Sequence, residues 1–210
     1  MFRNYIKIAW RNIWKNKLFS AINVISLAVG LSASFVIGLM VYYDFSFDTF
    51  HKDGDRIYRV VTDFETPQGS LKNGGVTPPM RIAAKEQLTG IEQSAYFYNW
   101  WISEAKAETS KQAFKDPEHI ILTEASYFDI FQYEWIAGSK ATALQQPNSV
   151  VLTRKRAEAY FPNMPLAAVM GQSLVYNGTI SATVSGIVED YDKRTDFYFN
   201  EFISLETAKQ

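Results

Sequence analysis

Two histidines, His51 and His119, and no cysteine are the whole supply of imidazole and thiol chemistry in this chain of 210 residues. A zinc site needs such ligands at close, regular spacing, and His51 and His119 are far apart in sequence. The densest group of carboxylates is Asp44, Asp48, Asp53 and Asp55. It has neither the D-x-D-x-D-G order nor the distal Glu of a calcium loop, so it reads as solvated acids near a turn. No Walker A loop, no G-x-G-x-x-G and no G-x-S-x-G is present, so the chain does not hydrolyse ATP through a P-loop of its own. Asn177-Gly178-Thr179 fits a glycosylation acceptor, but a tight turn explains the same residues more economically. Trp100-Trp101 could stack on a ligand. On a strand the two rings point to opposite faces, which predicts one core tryptophan and one on the surface. No catalytic, metal-binding or cofactor-binding residue is assigned, and the chain is not expected to be an enzyme.

The strongest pattern is physical rather than catalytic. From Leu18 to Tyr43 the chain runs for 26 residues without a charge. At about 1.5 Å per residue this exceeds a hydrocarbon core of about 30 Å, and it predicts a transmembrane helix over 18–43. Within it Ser26, Gly30, Ser34 and Gly38 recur every fourth residue. That stacks small side chains along one ridge, where another helix can approach closely in lipid. Frequent Gly and Ser in membrane helices is the plainer account of the same residues.

Upstream, Arg3, Lys7, Arg11, Lys15 and Lys17 precede the apolar run with no acidic residue among them. Those five leave 16 of the 21 basic residues to face 22 acidic ones, a net charge of −6 for the rest of the chain. Cationic flanks stay on the cytoplasmic side, which places the N-terminus inside and the bulk of the chain outside. Phe2, Tyr5, Ile6, Ala9, Trp10 and Ile13 recur at helical spacing beside the cationic stripe, with Trp14 completing a pair of tryptophans. Residues 1–17 are therefore expected to form an amphipathic basic helix lying in the lipid headgroup plane, an ordinary topogenic flank being the alternative. A cleaved signal peptide would need an apolar stretch of only about 7–15 residues and a small-residue cleavage site, and this run fits neither. Nothing in the charge pattern suggests a nucleic-acid partner.

Downstream of the run, Tyr42, Tyr43, Phe45, Phe47 and Phe50 alternate with the aspartates, as if the helix continues outward to about residue 53 and closes at Gly54. Strands are expected over 56–66, 95–103, 119–123, 149–152 and in the final apolar stretch around 197–205. Helices are expected after Pro79, with Met80, Ala83, Ala84 and Leu88 on one face, over 126–131, and after a Thr153 N-cap. Asn177-Gly178 predicts a hairpin. The fold class is α+β, with a mixed α/β extracytoplasmic domain over 54–210.

Three stretches, YIKIAWRNIWKNKLFSAINVISLAVGLS, YYDFSFDTFHKDGDRIYRV, and FDIFQYEWIAGSKATALQQPNSVVLTRKRAEAYFP with the following GQSLVYNG and VSGIVED, carry a resemblance. Together and in this order they resemble the N-terminal part of ABC transporter permeases of the MacB-like/FtsX-like type. The resemblance implies a first transmembrane helix leading into a MacB-like periplasmic core domain, dimeric pairing with a second permease copy, and an ABC ATPase subunit on the cytoplasmic face. It implies a bacterial plasma-membrane location and a role in export, including efflux, or in mechanotransmission toward a periplasmic partner or substrate. It also implies further membrane helices beyond Gln210, so that the sequence is expected to be either a fragment of a longer permease or a truncated product. The alternative from another class is the membrane-anchored sensor domain of a signalling receptor, which would also place an α/β domain outside after one span.

Overall fold

The computed structural model describes residues 2–209. Met1, Gln210 and the Phe2 side chain, which was expected on the apolar face of the first helix, lie outside the described residues. The chain divides into two compact units, 1–47 and 48–210.

The first unit is two helices in sequence, α1 (Phe2–Lys15) and α2 (Lys17–Asp44). They are separated only by Asn16, whose φ of −112° and ψ of 54° leave the helical region. The ladder nevertheless runs across it, through Asn16 N–H to Asn12 O at 3.1 Å and Ser20 N–H to Asn16 O at 3.0 Å. Helix α2 ends at Asp44, and the expected continuation to about residue 53 does not form. Residues 45–50 are turns instead. The cause is local: Ser46 donates through its hydroxyl to Tyr43 O at 2.6 Å, competing for the helix carbonyl, and Asp48 adopts a left-handed φ of 55° that no α-helix accommodates. Gly54 opens a single 3-10 turn, Gly54–Arg56, rather than closing a helix.

The second unit begins with a hairpin, β1 (Thr62–Thr66) and β2 (Gly69–Asn73). The strand expected from residue 56 thus starts six residues later. Its polar partner β2 lacks the apolar alternation that would have marked it. After α3 (Pro79–Gln87) come β3 (Phe97–Asn99), β4 (Glu104–Ala107), β5 (Phe114–Lys115), β6 (Ile120–Thr123), α4 (Ala125–Ile130) and β7 (Trp135–Gly138). Then follow β8 (Ser149–Thr153), α5 (Arg154–Tyr160), α6 (Leu166–Val169), β9 (Ser173–Tyr176), β10 (Ile180–Val188) and β11 (Glu201–Ser204). Where one strand was expected over 95–103, the chain breaks after Asn99. Trp100 and Trp101 do separate as expected: Trp100 packs on the core and Trp101 is 86% exposed.

Nine strands form one mixed sheet in the order β3-β6-β11-β8-β10-β9-β4-β5, with β7 pairing the second half of β10. The pairs β6/β11 and β8/β10 are parallel, and β8/β11 is antiparallel. Strand alternation then sorts the core. Ile120, Leu122, Val150, Leu152 and Ile203 face α5 and α6, while Ile121, Val151 and Phe202 face α4. Helices on both faces explain why SVVL and HIILT read as unbroken apolar runs rather than alternating ones. Each such side chain contributes roughly 1.5–3 kcal/mol on burial.

Two glycines make the β7/β10 contact possible. Gly138 and Gly186 are paired in register. A Cβ on Gly186 would sit 2.6 Å from Trp135 Cζ3, and Gly138, at φ 83°, lies with its Cβ position 2.6 Å from Ser185 O. At the β9/β10 hairpin, Asn177 and Gly178 have φ of 51° and 70°, the signature of a type I′ turn. The Asn177 amide oxygen accepts from Ser103 N–H and Oγ, both at 2.9 Å, which ties the turn to the start of β4.

Candidate functional site

The cationic and small residues singled out from sequence all lie in the first unit, and all are exposed there. Trp10 and Trp14 lie one turn apart on α1 with ring centroids 6.4 Å apart, and Lys17 Nζ stands 5.1 Å over the Trp14 ring. Arg3, Lys7, Arg11 and Lys15 occupy successive turns of the same helix. Helix α2 has no buried residue along its 28 positions. Among the described residues it is the one helix long and apolar enough to cross a membrane. Leu27, Val29, Leu31 and Phe35 are each more than 60% exposed. In water each forgoes roughly 1.5–3 kcal/mol of burial. Ser26, Gly30, Ser34 and Gly38 share one ridge, and a Cβ placed on Gly30 or Gly38 meets nothing within 4 Å.

The second unit concentrates its polar chemistry near the chain's entry. Asp48 N–H donates to Arg194 O at 3.0 Å, and Asp48 Oδ2 accepts from Asp196 N–H at 3.3 Å. Asp48 Oδ1 lies 3.4 Å from His51 Nε2, and neither atom has a hydrogen-bond partner. The imidazole is enclosed by rings, with Phe50 at 4.2 Å, Phe131 at 5.3 Å and Tyr191 at 5.9 Å between centroids. Asp48 is therefore an engaged side chain and not the solvated acid expected from sequence. His51 and Phe50 also line a cleft of about 320 Å³ with Tyr191, Glu134, Glu189 and Asp190. Burial pushes the Tyr191 hydroxyl up, with the nearby Asp48 carboxylate acting in the same direction, so it stays protonated.

Two carboxylates of that cleft, Glu189 and Asp190, are committed to structure. Arg154 grips Glu189 with two guanidinium nitrogens, through Nε at 2.9 Å to Oε2 and through Nη2 to Oε1. The guanidinium holds the Glu189 carboxyl below the ordinary carboxylate range. Asp190 Oδ2 accepts from Lys155 N–H at 2.9 Å and so satisfies the first turn of α5. This corrects the expected cap: Thr153 stands at the N-cap position, but its hydroxyl is buried without a partner and Asp190, from another loop, performs the capping.

A second polar group is enclosed in the core. Glu201, on β11, is fully buried, and accepts from Tyr160 OH at 2.6 Å and Tyr176 OH at 2.5 Å, with Arg156 Nε at 3.2 Å. Burial pushes the Glu201 carboxyl up, while Arg156 and the two hydroxyls pull the other way. Sequence reasoning passed over Glu201. The available signal was a lone carboxylate inside the apolar run FNEFISL. Sealed from solvent, this carboxylate offers no chemistry to a substrate. Among the described residues no group of three or more His, Cys, Asp or Glu side chains is placed to hold a metal ion.

An apolar helix of spanning length followed by a mixed α+β domain is the architecture these residues build. More particularly, the chain belongs to the MacB-like periplasmic core domain family, whose model matches residues 20–210, most of α2 and the whole second unit. No curated protein sequence matches it. Among solved structures it is similar to a domain of a candidate permease protein from Porphyromonas gingivalis, at 20% identity and a TM-score of 0.49, covering 60% of this chain and 55% of that one. It is also similar to the periplasmic region of MacB from Actinobacillus actinomycetemcomitans, at 19% identity and a TM-score of 0.43, covering 60% of this chain and 56% of that one. The chain thus spans little more than half the length of either.

Proposed function

We propose that this chain is the N-terminal part of an ABC transporter permease, which couples ATP hydrolysis by a partner subunit to an extracytoplasmic domain, in export or in mechanotransmission. The observation that carries the reading is the family match running through α2 into the domain. In this reading α2 spans the bacterial plasma membrane with the N-terminus cytoplasmic, as the cations at Arg3, Lys7, Arg11, Lys15 and Lys17 favour. Helix α1, with Trp10 and Trp14, lies on the lipid surface beside the ATPase. The ridge of Ser26, Gly30, Ser34 and Gly38 receives another permease helix or a second copy. The domain over residues 54–210 acts outside on a substrate or partner, and ATP hydrolysis belongs to the partner subunit alone.

The test is affinity purification of the full-length protein from membranes, followed by identification of what accompanies it. An ABC ATPase subunit in near-stoichiometric amount supports the reading. A protein that purifies repeatedly without any ATPase, and with a cytoplasmic signalling module instead, would return the sensor alternative.

A further inference from the structure

We propose that α1 docks on anionic phospholipid and gathers it in preference to zwitterionic lipid, with its cations taking the anionic headgroups along one border of the helix. The proposal deepens, and rests on, the reading in which α2 spans the membrane and α1 lies on its surface. Arg3, Lys7, Arg11, Lys15 and Lys17 are all exposed. Among the described residues none of the five forms an ion pair within the protein. No acidic residue precedes Asp44, so nothing nearby in the sequence neutralises them.

At about 100° per residue, Arg3, Lys7, Arg11 and Lys15 advance slowly around α1, while Ile6, Ala9 and Ile13 form an apolar arc. Trp10 and Trp14 fall at the border between stripe and arc, with ring centroids 6.4 Å apart, and Lys17 Nζ lies 5.1 Å over the Trp14 ring. An amphipathic ring at such a border suits the headgroup level of a bilayer. The cations beside it, on long apolar stems, reach the charged layer outside. An acidic protein surface would match the charge alone. An anionic lipid boundary matches the charge and also gives Ile6 and Ile13, 65% and 47% exposed, an apolar medium. That boundary is at hand, because α1 ends at Lys15 and the uncharged run begins at Leu18.

Because the chain has no cysteine, a fluorophore attached through Ala9→Cys labels α1 at one position. Its quenching is measured on the full chain in phosphatidylcholine nanodiscs that carry equal amounts of either nitroxide-labelled phosphatidylglycerol or nitroxide-labelled phosphatidylcholine. The phosphatidylglycerol probe is expected to associate about fivefold more strongly, the factor that one cation at an anionic surface supplies, and added salt is expected to reduce the difference. Lys7→Gln combined with Arg11→Gln keeps helix propensity and is expected to bring the two probes close to parity, whereas Lys7→Arg combined with Arg11→Lys is expected to retain the preference. Equal quenching by both probes, or a preference untouched by the two glutamines, would overturn the anionic selection while leaving α1 on the membrane. Quenching by neither probe would overturn both the selection and the placement of α1 on lipid, in favour of an acidic protein partner. Co-purification of an ATPase is a separate measurement, so the lipid preference and the permease reading can fail independently.

Discussion

Tyr176 OH lies 2.5 Å from Glu201 Oε2, joining β9 to β11 across strands that are not neighbours in the sheet. The bond is buried, and the carboxylate has no route to water. Tyr176→Phe leaves one oxygen of Glu201 without its donor, which costs about 1–3 kcal/mol. For a unit of this size thermal unfolding is expected to fall by roughly 2–12 °C. A melting temperature equal to wild type would show that the network does not contribute to stability.

The same carboxyl predicts a pH dependence. Its folded pKa is raised, so its contribution to stability is fully present below the ordinary glutamate value of about 4.3 and is lost as pH rises through the folded value. Glu201→Gln removes that titration. Unfolding free energies measured by denaturant at stepped pH are expected to decline less steeply above pH ~4.3 in the variant than in the wild type.

Glu189 predicts the opposite sign. Arg154 lowers its folded pKa, so the stability this pair contributes is present above the ordinary glutamate value and is lost as pH falls through the lowered one. Because both side chains are partly exposed, the effect is expected to shrink with added salt. Glu189→Gln is expected to destabilise at neutral pH and low ionic strength and to match wild type under acid conditions. Parallel melts across pH and salt check both halves.

Gly186→Ala and Gly138→Ala test the close approach of β7 to β10. The added methyl at 186 must displace the Trp135 ring, at a cost of about 1–3 kcal/mol. At 138 it meets the Ser185 carbonyl and a left-handed backbone, neither of which can yield like a side-chain end. Gly138→Ala is therefore expected to be the more destabilising of the two, as read by chemical denaturation.

On α2, Gly30→Leu and Gly38→Leu fill the open ridge without reducing hydrophobicity. Membrane insertion is expected to be retained while association of the full-length protein in detergent weakens. Unchanged association would count against a packing role for the ridge.

What the sequence determined by itself is whatever depends on spacing along the chain. The uncharged run from Leu18 to Tyr43 specifies α2 because a continuous apolar run of that length without proline favours one unbroken helix. Asn177-Gly178 specifies its hairpin because those two residues adopt positive φ at little cost. The cores of β6 and β8 show in HIILT and SVVL because a strand covered on both faces must be apolar throughout. Tertiary structure decided the rest, because those features depend on partners supplied from distant positions. Asp48 is indistinguishable in sequence from its solvated neighbours until the loop carrying Asp196 comes beside it. Thr153 has the right type to cap α5, yet Asp190 arrives from the end of β10 and takes the helix N–H first. Glu201 reads as a blemish in an apolar strand, and only the convergence of Tyr160, Tyr176 and Arg156 makes its burial tolerable, since a buried carboxylate without such partners would cost several kcal/mol.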